Sequence, residues 1–284
     1  MRNTRHSMIA LAAVGLLALS ACGDDGGGNG DSADPADFPE GSTMARIAEE
    51  GTITIGTKFD QPLFGLQGPD GVPVGFDVSI GQLIADELGV EAEFVEAQSA
   101  QRETLIENCS VDIVVATYTI NDDRKELIDF AGPYYVAGQS LMVAADNTDI
   151  TGPDDLAGKK VCSADGSTPA QNIRDNYPDA ELVTYGAYTD CLDPLLSGQV
   201  DAVTTDNVIL AGYVNESPDD FKLVGDQFTE EPYGIGLKKG DDDFRTFIND
   251  TLEAAYEDGR WQEAWEDTAG AVLDTPEPPA VDRY

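Results

Sequence analysis

In the stretch "TYTINDDRKELIDFAGPYY" (117–135) an arginine, Arg124, stands in the first turn of a helix that Asn121 should cap and that Asp122 and Asp123 open. A cation there opposes the helix macrodipole by roughly a few tenths of a kcal/mol. A local pair with Asp122 or Asp123 is one account of it, worth little on an exposed helix. The other is that Arg124 and the helix start face an anion the chain does not supply. A guanidinium fork grips a carboxylate through two parallel hydrogen bonds, each contributing about 1.5–3 kcal/mol, more than the dipole opposes. Thr117 and Thr119, just upstream, add hydroxyl and backbone groups to such a site.

A second constellation lies further along. "DGSTPAQN" (165–172) places Ser167 and Thr168 just before a helix with Pro169 at its first position. Free N–H groups at such an end favour an anion, although plain capping also explains the pair. Asp206 ends the apolar run "VDAVTT"; it either accepts an ammonium group or caps the next helix.

The elements that must hold these residues alternate. "TITIGT" (52–57) and "AEFVEA" read as strands and "VDIVVAT" as a buried one, and "FDVSIGQLIADELG" aligns Phe76, Ile80, Leu83, Ile84 and Leu88 on one helical face before Gly89 stops it. "QSLMVAA" is expected to complete a first α/β unit. A second unit runs from "KKVCSA" to "FKLVG", and "YGIGLKK" with two helices bearing Phe244, Phe247, Ile248, Leu252, Trp261 and Trp265 closes the chain. This alternation means parallel sheets covered by helices. "SVDIVVATYTIND" (110–122) and "QVDAVTTDNVIL" (199–210) repeat one grammar, a buried strand breaking into Thr, Asp or Asn before a helix. Ligands of open α/β sheets sit beyond such strand ends. The pair suggests a cleft between two lobes, with chance likeness of two βα segments as the competing account.

Composition narrows the chemistry. The chain has 284 residues, with 16 Lys and Arg against 54 Asp and Glu. It opens "MRNTRHSMIALAAVGLLALSAC", the layout of a secretory signal (1–21), with Leu19-Ser20-Ala21-Cys22 resembling a lipobox whose cysteine is lipidated. A Gly/Asp/Pro-rich tether (22–43) follows. Removing 1–21, which holds Arg2 and Arg5 and no acid, leaves 14 bases against 54 acids, a charge of −40. Such a surface argues against nucleic acid and against binding anionic lipid other than through the anchor. The only histidine is His6, inside the signal, so the mature chain has no histidine for a triad or a metal site; neither cofactor nor metal is expected. With Cys22 lipidated and the chain exported, Cys162–Cys191 is the expected disulfide and Cys109 the free thiol, other pairings staying open.

A site for carboxylate and ammonium together is a site for an amino acid. At this point "IGTKFDQPLFGL", "GFDVSIGQLIADELGV", "VDIVVATYTINDDRKELIDFAGPYY", "LAGKKVCSADGST", "VDAVTTDNVILAGY", "YGIGLKKGD" and "DGRWQEAW", in this order, resemble the bacterial extracellular solute-binding proteins of family 3 from about Gly51 to Gly270. The resemblance is to polar amino acid receptors of ABC importers, and within them to the glutamate/aspartate branch of actinobacterial type. It implies two Rossmann-like lobes around a hinged cleft, a type II periplasmic-binding-protein fold. It also implies a monomer without enzymatic activity that meets permease subunits. Lobe one would comprise 44–143 and 234–284 and lobe two 144–233, with crossings near Ala144 and Tyr233. Thr119 and Arg124 would bind the α-carboxylate, Thr117 would contribute at the amino end, and Thr168 with Ser167 would close on the carboxylate from lobe two. Asp206 would take the ammonium, and Arg102 and Lys58 the side-chain carboxylate. Such relatives share the Cys162 and Cys191 pair. They often carry Thr-Pro-Glu-Arg where this chain has Asn121-Asp122-Asp123-Arg124, and a small residue where it has Cys109. Glutamine or another polar amino acid is the alternative ligand. A dehydratase-like enzyme on the same scaffold is the alternative of another class.

Overall fold

The computed structural model describes residues 35–284; the expected signal, Cys22 and most of the tether lie outside the described residues. In chain order the elements are helix α1 (Thr43–Glu50), strands β1 (Thr52–Thr57), β2 (Asp60–Gln61), β3 (Gly65–Gln67) and β4 (Pro73–Val74), α2 (Phe76–Leu88), β5 (Glu91–Glu96), α3 (Arg102–Glu107), β6 (Ile113–Val114), α4 (Asp122–Leu127) and β7 (Asp129–Ala137). There follow β8 (Gln139–Ala144), β9 (Lys160–Ala164), α5 (Thr168–Asn176), β10 (Glu181–Tyr185), α6 (Leu192–Leu196), β11 (Ala202–Asp206), α7 (Asn207–Glu216) and β12 (Phe221–Val224). The chain ends with β13 (Glu231–Leu237), α8 (Asp242–Asp258) and α9 (Arg260–Glu266).

Two five-stranded sheets result, in the orders β5-β1-β6-β13-β7 and β10-β9-β11-β8-β12, with a small sheet β2-β3-β4 beside the first. In each, the first three strands are parallel and the fourth, which arrives from the other lobe, is antiparallel. The repeated grammar of 110–122 and 199–210 therefore marks one topological slot used twice: β6 and β11 are the third strands of their sheets. Both lead toward the space between the lobes, where open α/β sheets bind ligands.

Three expectations are corrected. "QSLMVA" does not complete the first unit, because β8 pairs with β11 (Met142 opposite Val203) and with β12. The outward crossing is therefore at Gly138, ahead of Ala144, and the return lies between Val224 and Glu231, ahead of Tyr233. No change of hydrophobicity marks the outward break. It is marked by a close approach, since a Cβ on Gly138 would stand 2.7 Å from the Thr229 carbonyl of the returning chain. The tether also ends early: Pro35–Asp37 forms a turn of 3-10 helix and Phe38 packs edge-on to Phe247, ring centroids 6.0 Å apart.

Local chemistry otherwise follows the sequence. Phe76, Ile80, Ile84 and Leu88 are buried, and Gly89 caps α2 with a φ of 68°. Phe76 meets Trp265 and Trp261 at 5.1 and 5.6 Å, which fastens α9 to the first lobe; each fully buried ring of this kind stabilises by about 1.5–3 kcal/mol. Cys162 and Cys191 are disulfide-bonded and Cys109 is free and exposed. Among the described residues no helix is long and apolar enough to cross a membrane.

Candidate functional site

On the first lobe the chain leaving β6 takes an unusual course. Thr117 adopts a φ of 44°, a left-handed conformation that β-branched residues avoid. Buried groups hold it there: its N–H donates to Asp77 Oδ2 at 2.7 Å and its hydroxyl to Gln61 Oε1 at 3.0 Å. Thr119 lies opposite Tyr233 in an isolated antiparallel bridge. The bridging bonds belong to Ile120 N–H and Gly234 N–H, so Thr119 turns its own N–H and C=O away from β13.

Three cations converge behind these threonines, all buried. Lys58 donates to Ser99 Oγ at 2.8 Å. Burial and the neighbouring Arg102 charge push its pKa down to about 7. Arg102, at the start of α3, donates to the Ala116 carbonyl at 2.9 Å and to the Ser99 carbonyl at 3.3 Å. Neither has a carboxylate within salt-bridge distance among the described residues. Arg124 is placed differently. Its Nε lies 3.3 Å from Glu103 Oε1, Nη1 donates to the Thr119 carbonyl at 2.7 Å, and Nη2 to the Gly166 carbonyl of the second lobe at 3.1 Å. The local pair with Asp122 or Asp123 is therefore not formed. Of its five N–H donors, one on each terminal nitrogen is left over from these contacts. Burial, then the charge of Arg102, lowers its pKa to about 10. Both guanidinium groups lie against the Tyr118 ring, at 4.1 and 4.9 Å, and such cation–π contact offsets part of their repulsion.

The second lobe contributes a helix end and an acid. Ser167 caps α5: its oxygen accepts from Ala170 N–H at 3.2 Å while its hydroxyl donates to the Ala164 carbonyl at 2.7 Å. That hydroxyl is fully engaged in the cap. Thr168 opens the helix, and its N–H is one of the donors a helix leaves unpaired. Its hydroxyl donates to Glu231 Oε2 at 2.8 Å and lies 3.2 Å from the hydroxyl of Thr119 across the cleft. Asp206 stands at the N-cap position of α7 but makes no capping bond. Instead its Oδ2 accepts from Tyr233 O–H at 2.6 Å, and its Oδ1 is buried without a partner. Burial, with the nearby charge of Glu231, raises its pKa to about 8. A bound ammonium would supply the missing donor and restore the ionised form.

The structure thus brings Thr119, Arg124 and Thr168 to one point between the lobes, with Arg102 and Lys58 behind and Asp206 on the facing wall. Sequence reasoning missed Gln61, Asp77, Glu103, Glu231 and Tyr233. Asp77 had a signal, a carboxylate on the apolar face of α2; the others had none short of the fold.

This is the architecture of a two-lobed α/β solute-binding protein. The chain belongs to the bacterial extracellular solute-binding proteins, family 3, whose pattern it matches over residues 53–267. It is similar to the glutamate-binding protein GluB of Corynebacterium glutamicum, 41% identical over 90% of this chain and 87% of the other. It is likewise similar to the ABC transporter glutamine-binding protein GlnH of Bacillus subtilis, 40% identical over 91% of this chain and 94% of the other. Among solved structures, an ancestral arginine-binding protein bound to arginine superposes with a TM-score of 0.74 at 35% identity, covering 77% of this chain and 98% of that one. The family and these relatives bind solutes; the chain is a binding protein, not an enzyme.

Proposed function

We propose that this chain captures L-glutamate, and more weakly aspartate, between its lobes and delivers it to the permease of an ABC importer. In this reading Thr119, Arg124 and the helix end at Ser167 and Thr168 hold the α-carboxylate. Asp206 takes the ammonium, with Thr117 at the same end, and Arg102 and Lys58 take the side-chain carboxylate. Cys22 carries the lipid that anchors the protein to the outer face of the cell membrane. Residues 35–137 with 231–284, and 139–224, would be the two lobes, moving about Gly138 and 225–230.

The observation that carries the choice of ligand is the burial of Lys58 and Arg102 with no carboxylate in salt-bridge distance among the described residues. An uncompensated buried cation is costly, and a side-chain carboxylate removes that cost where the glutamine amide does not. Glutamine is the second reading, favoured by the backbone carbonyls that already accept from Arg102. Calorimetric titration of the purified chain with the common amino acids separates the two. Glutamate is expected near a Kd of about 1 µM, about −8 kcal/mol, with glutamine at least tenfold weaker; the reverse order would reject the assignment. Palmitate labelling in cells, present in the parent chain and lost in Cys22→Ala, tests the anchor.

A further inference from the structure

Beside the cations, the lobes also meet along a rim. Asp60, on β2 of the first lobe, reaches the second lobe twice: its carboxylate accepts from Tyr188 N–H at 2.9 Å and its carbonyl from Tyr213 O–H at 2.8 Å. Tyr188 and Tyr213 are both buried. Next to this pair, glycines of the second lobe stand where the first lobe comes closest. A Cβ on Gly166 would lie 2.6 Å from Ala100 Cα, and one on Gly212 would lie 2.9 Å from the Pro62 carbonyl oxygen and 3.1 Å from Pro62 Cβ. Gly166 has a φ of 73°, so its turn alone accounts for the glycine.

Gly212 is different. It lies inside α7, without the positive φ that would call for glycine. In a helix interior glycine is about 1 kcal/mol less favourable than alanine. The nearest atoms a Cβ there would crowd all belong to Pro62, across the cleft. The helix would be better off with alanine; the seam would not.

We propose that Gly212 and Asp60 are positioning residues that set the affinity for the amino acid by setting how completely the lobes close, without contacting the ligand. The proposal rests on the reading of a ligand held between the lobes but not on which amino acid that is. Apparent affinity falls in proportion to the population of the closed, binding-competent state. A rim that resists closure therefore weakens every ligand by one common factor, whereas a residue that reads the ligand weakens them unequally.

The test uses the full chain purified in detergent, as Gly212→Ala and as Asp60→Asn. Gly212→Ala is expected to keep or raise the melting temperature without amino acid. It should weaken glutamate and glutamine equally, by about tenfold, and increase the radius of gyration in small-angle scattering at a fixed glutamate concentration. Asp60→Asn is expected to act in the same direction by about threefold. Affinities within twofold of the parent in both variants would overturn the proposal. So would unequal losses for the two ligands in Gly212→Ala, or a lower melting temperature in that variant, which would mark the glycine as a packing need within its own lobe. If no amino acid binds the parent chain, the binding reading itself has failed. Scattering then still decides the seam: a larger radius for Gly212→Ala supports it, and an identical one removes it.

Discussion

The two walls of the cleft differ in kind. The first lobe presents Lys58, Arg102 and Arg124, three buried basic side chains. The second presents a helix end at Thr168 and one carboxylate, Asp206, whose free oxygen lacks a partner. The difference teaches a division of labour. Basic groups on the first wall can discriminate between side chains, because an anion offsets a buried positive charge and a neutral amide does not. The second wall offers what every amino acid needs, an ammonium acceptor and dipolar donors, and so can complete a site without choosing its occupant.

The strongest way to break that comparison is to remove the one cation both walls share. Arg124 reaches the Thr119 carbonyl on its own lobe and the Gly166 carbonyl on the other. Arg124→Ala is expected to lower the affinity for every amino acid by at least about 100-fold, two or more charge-assisted hydrogen bonds at about 1.5–3 kcal/mol each. Calorimetry checks this directly. Arg124→Lys should recover little of it, since an ammonium cannot reproduce the two-pronged grip. A variant that still binds glutamate within tenfold of the parent would place the α-carboxylate elsewhere.

How far the sequence alone reached follows the same division. What depends on neighbours in the chain was legible: Asn121 accepts from Arg124 N–H as a cap, Ser167 caps α5, Gly89 ends α2, and the exported cysteine pair closes within one lobe. What depends on a partner far along the chain was not. Glu103 beside Arg124 is an ordinary helix acid in the sequence, and nothing around "EPYGIGL" says that Glu231 and Tyr233 reach Thr168 and Asp206. The break at Gly138 hid for a related reason. β7 and β8 form a nearly unbroken extended apolar run, and only the strands that pair with it assign its two halves to different sheets.

A finer cut separates the cations of the first wall from one another. Arg102→Ala should weaken glutamate by about 10- to 100-fold, one charge-assisted interaction, and leave glutamine within about threefold, because only the side-chain carboxylate would lose its partner. Lys58→Met, which keeps much of the buried stem, should act in the same direction and less. Titrating both ligands against both variants is sufficient. Equal losses for glutamate and glutamine would mean that these cations support the fold of the first wall rather than read the side chain.

The smallest effect is a dependence on pH, and it separates the walls by sign. Lys58 is pushed down to about 7 by burial and by Arg102. A side-chain carboxylate at its ammonium would raise that value, so glutamate would bind with proton uptake above pH 7 and lose affinity as pH rises. One proton sets a limit of about tenfold per pH unit. Asp206 works the other way. It is raised to about 8 by burial and by Glu231, and an ammonium pairs with its ionised form, so binding of any amino acid would release a proton below pH 8 and strengthen as pH rises. The two trends overlap in the affinity for glutamate alone, but the ratio of glutamate to glutamine affinity cancels what Asp206 contributes. That ratio is expected to stay level from pH 6 to 7 and to fall between 7 and 9 in the parent chain, and to stay level throughout in Lys58→Met. A ratio that is flat in the parent chain as well would remove Lys58 from the side-chain end of the site and leave Arg102 there alone.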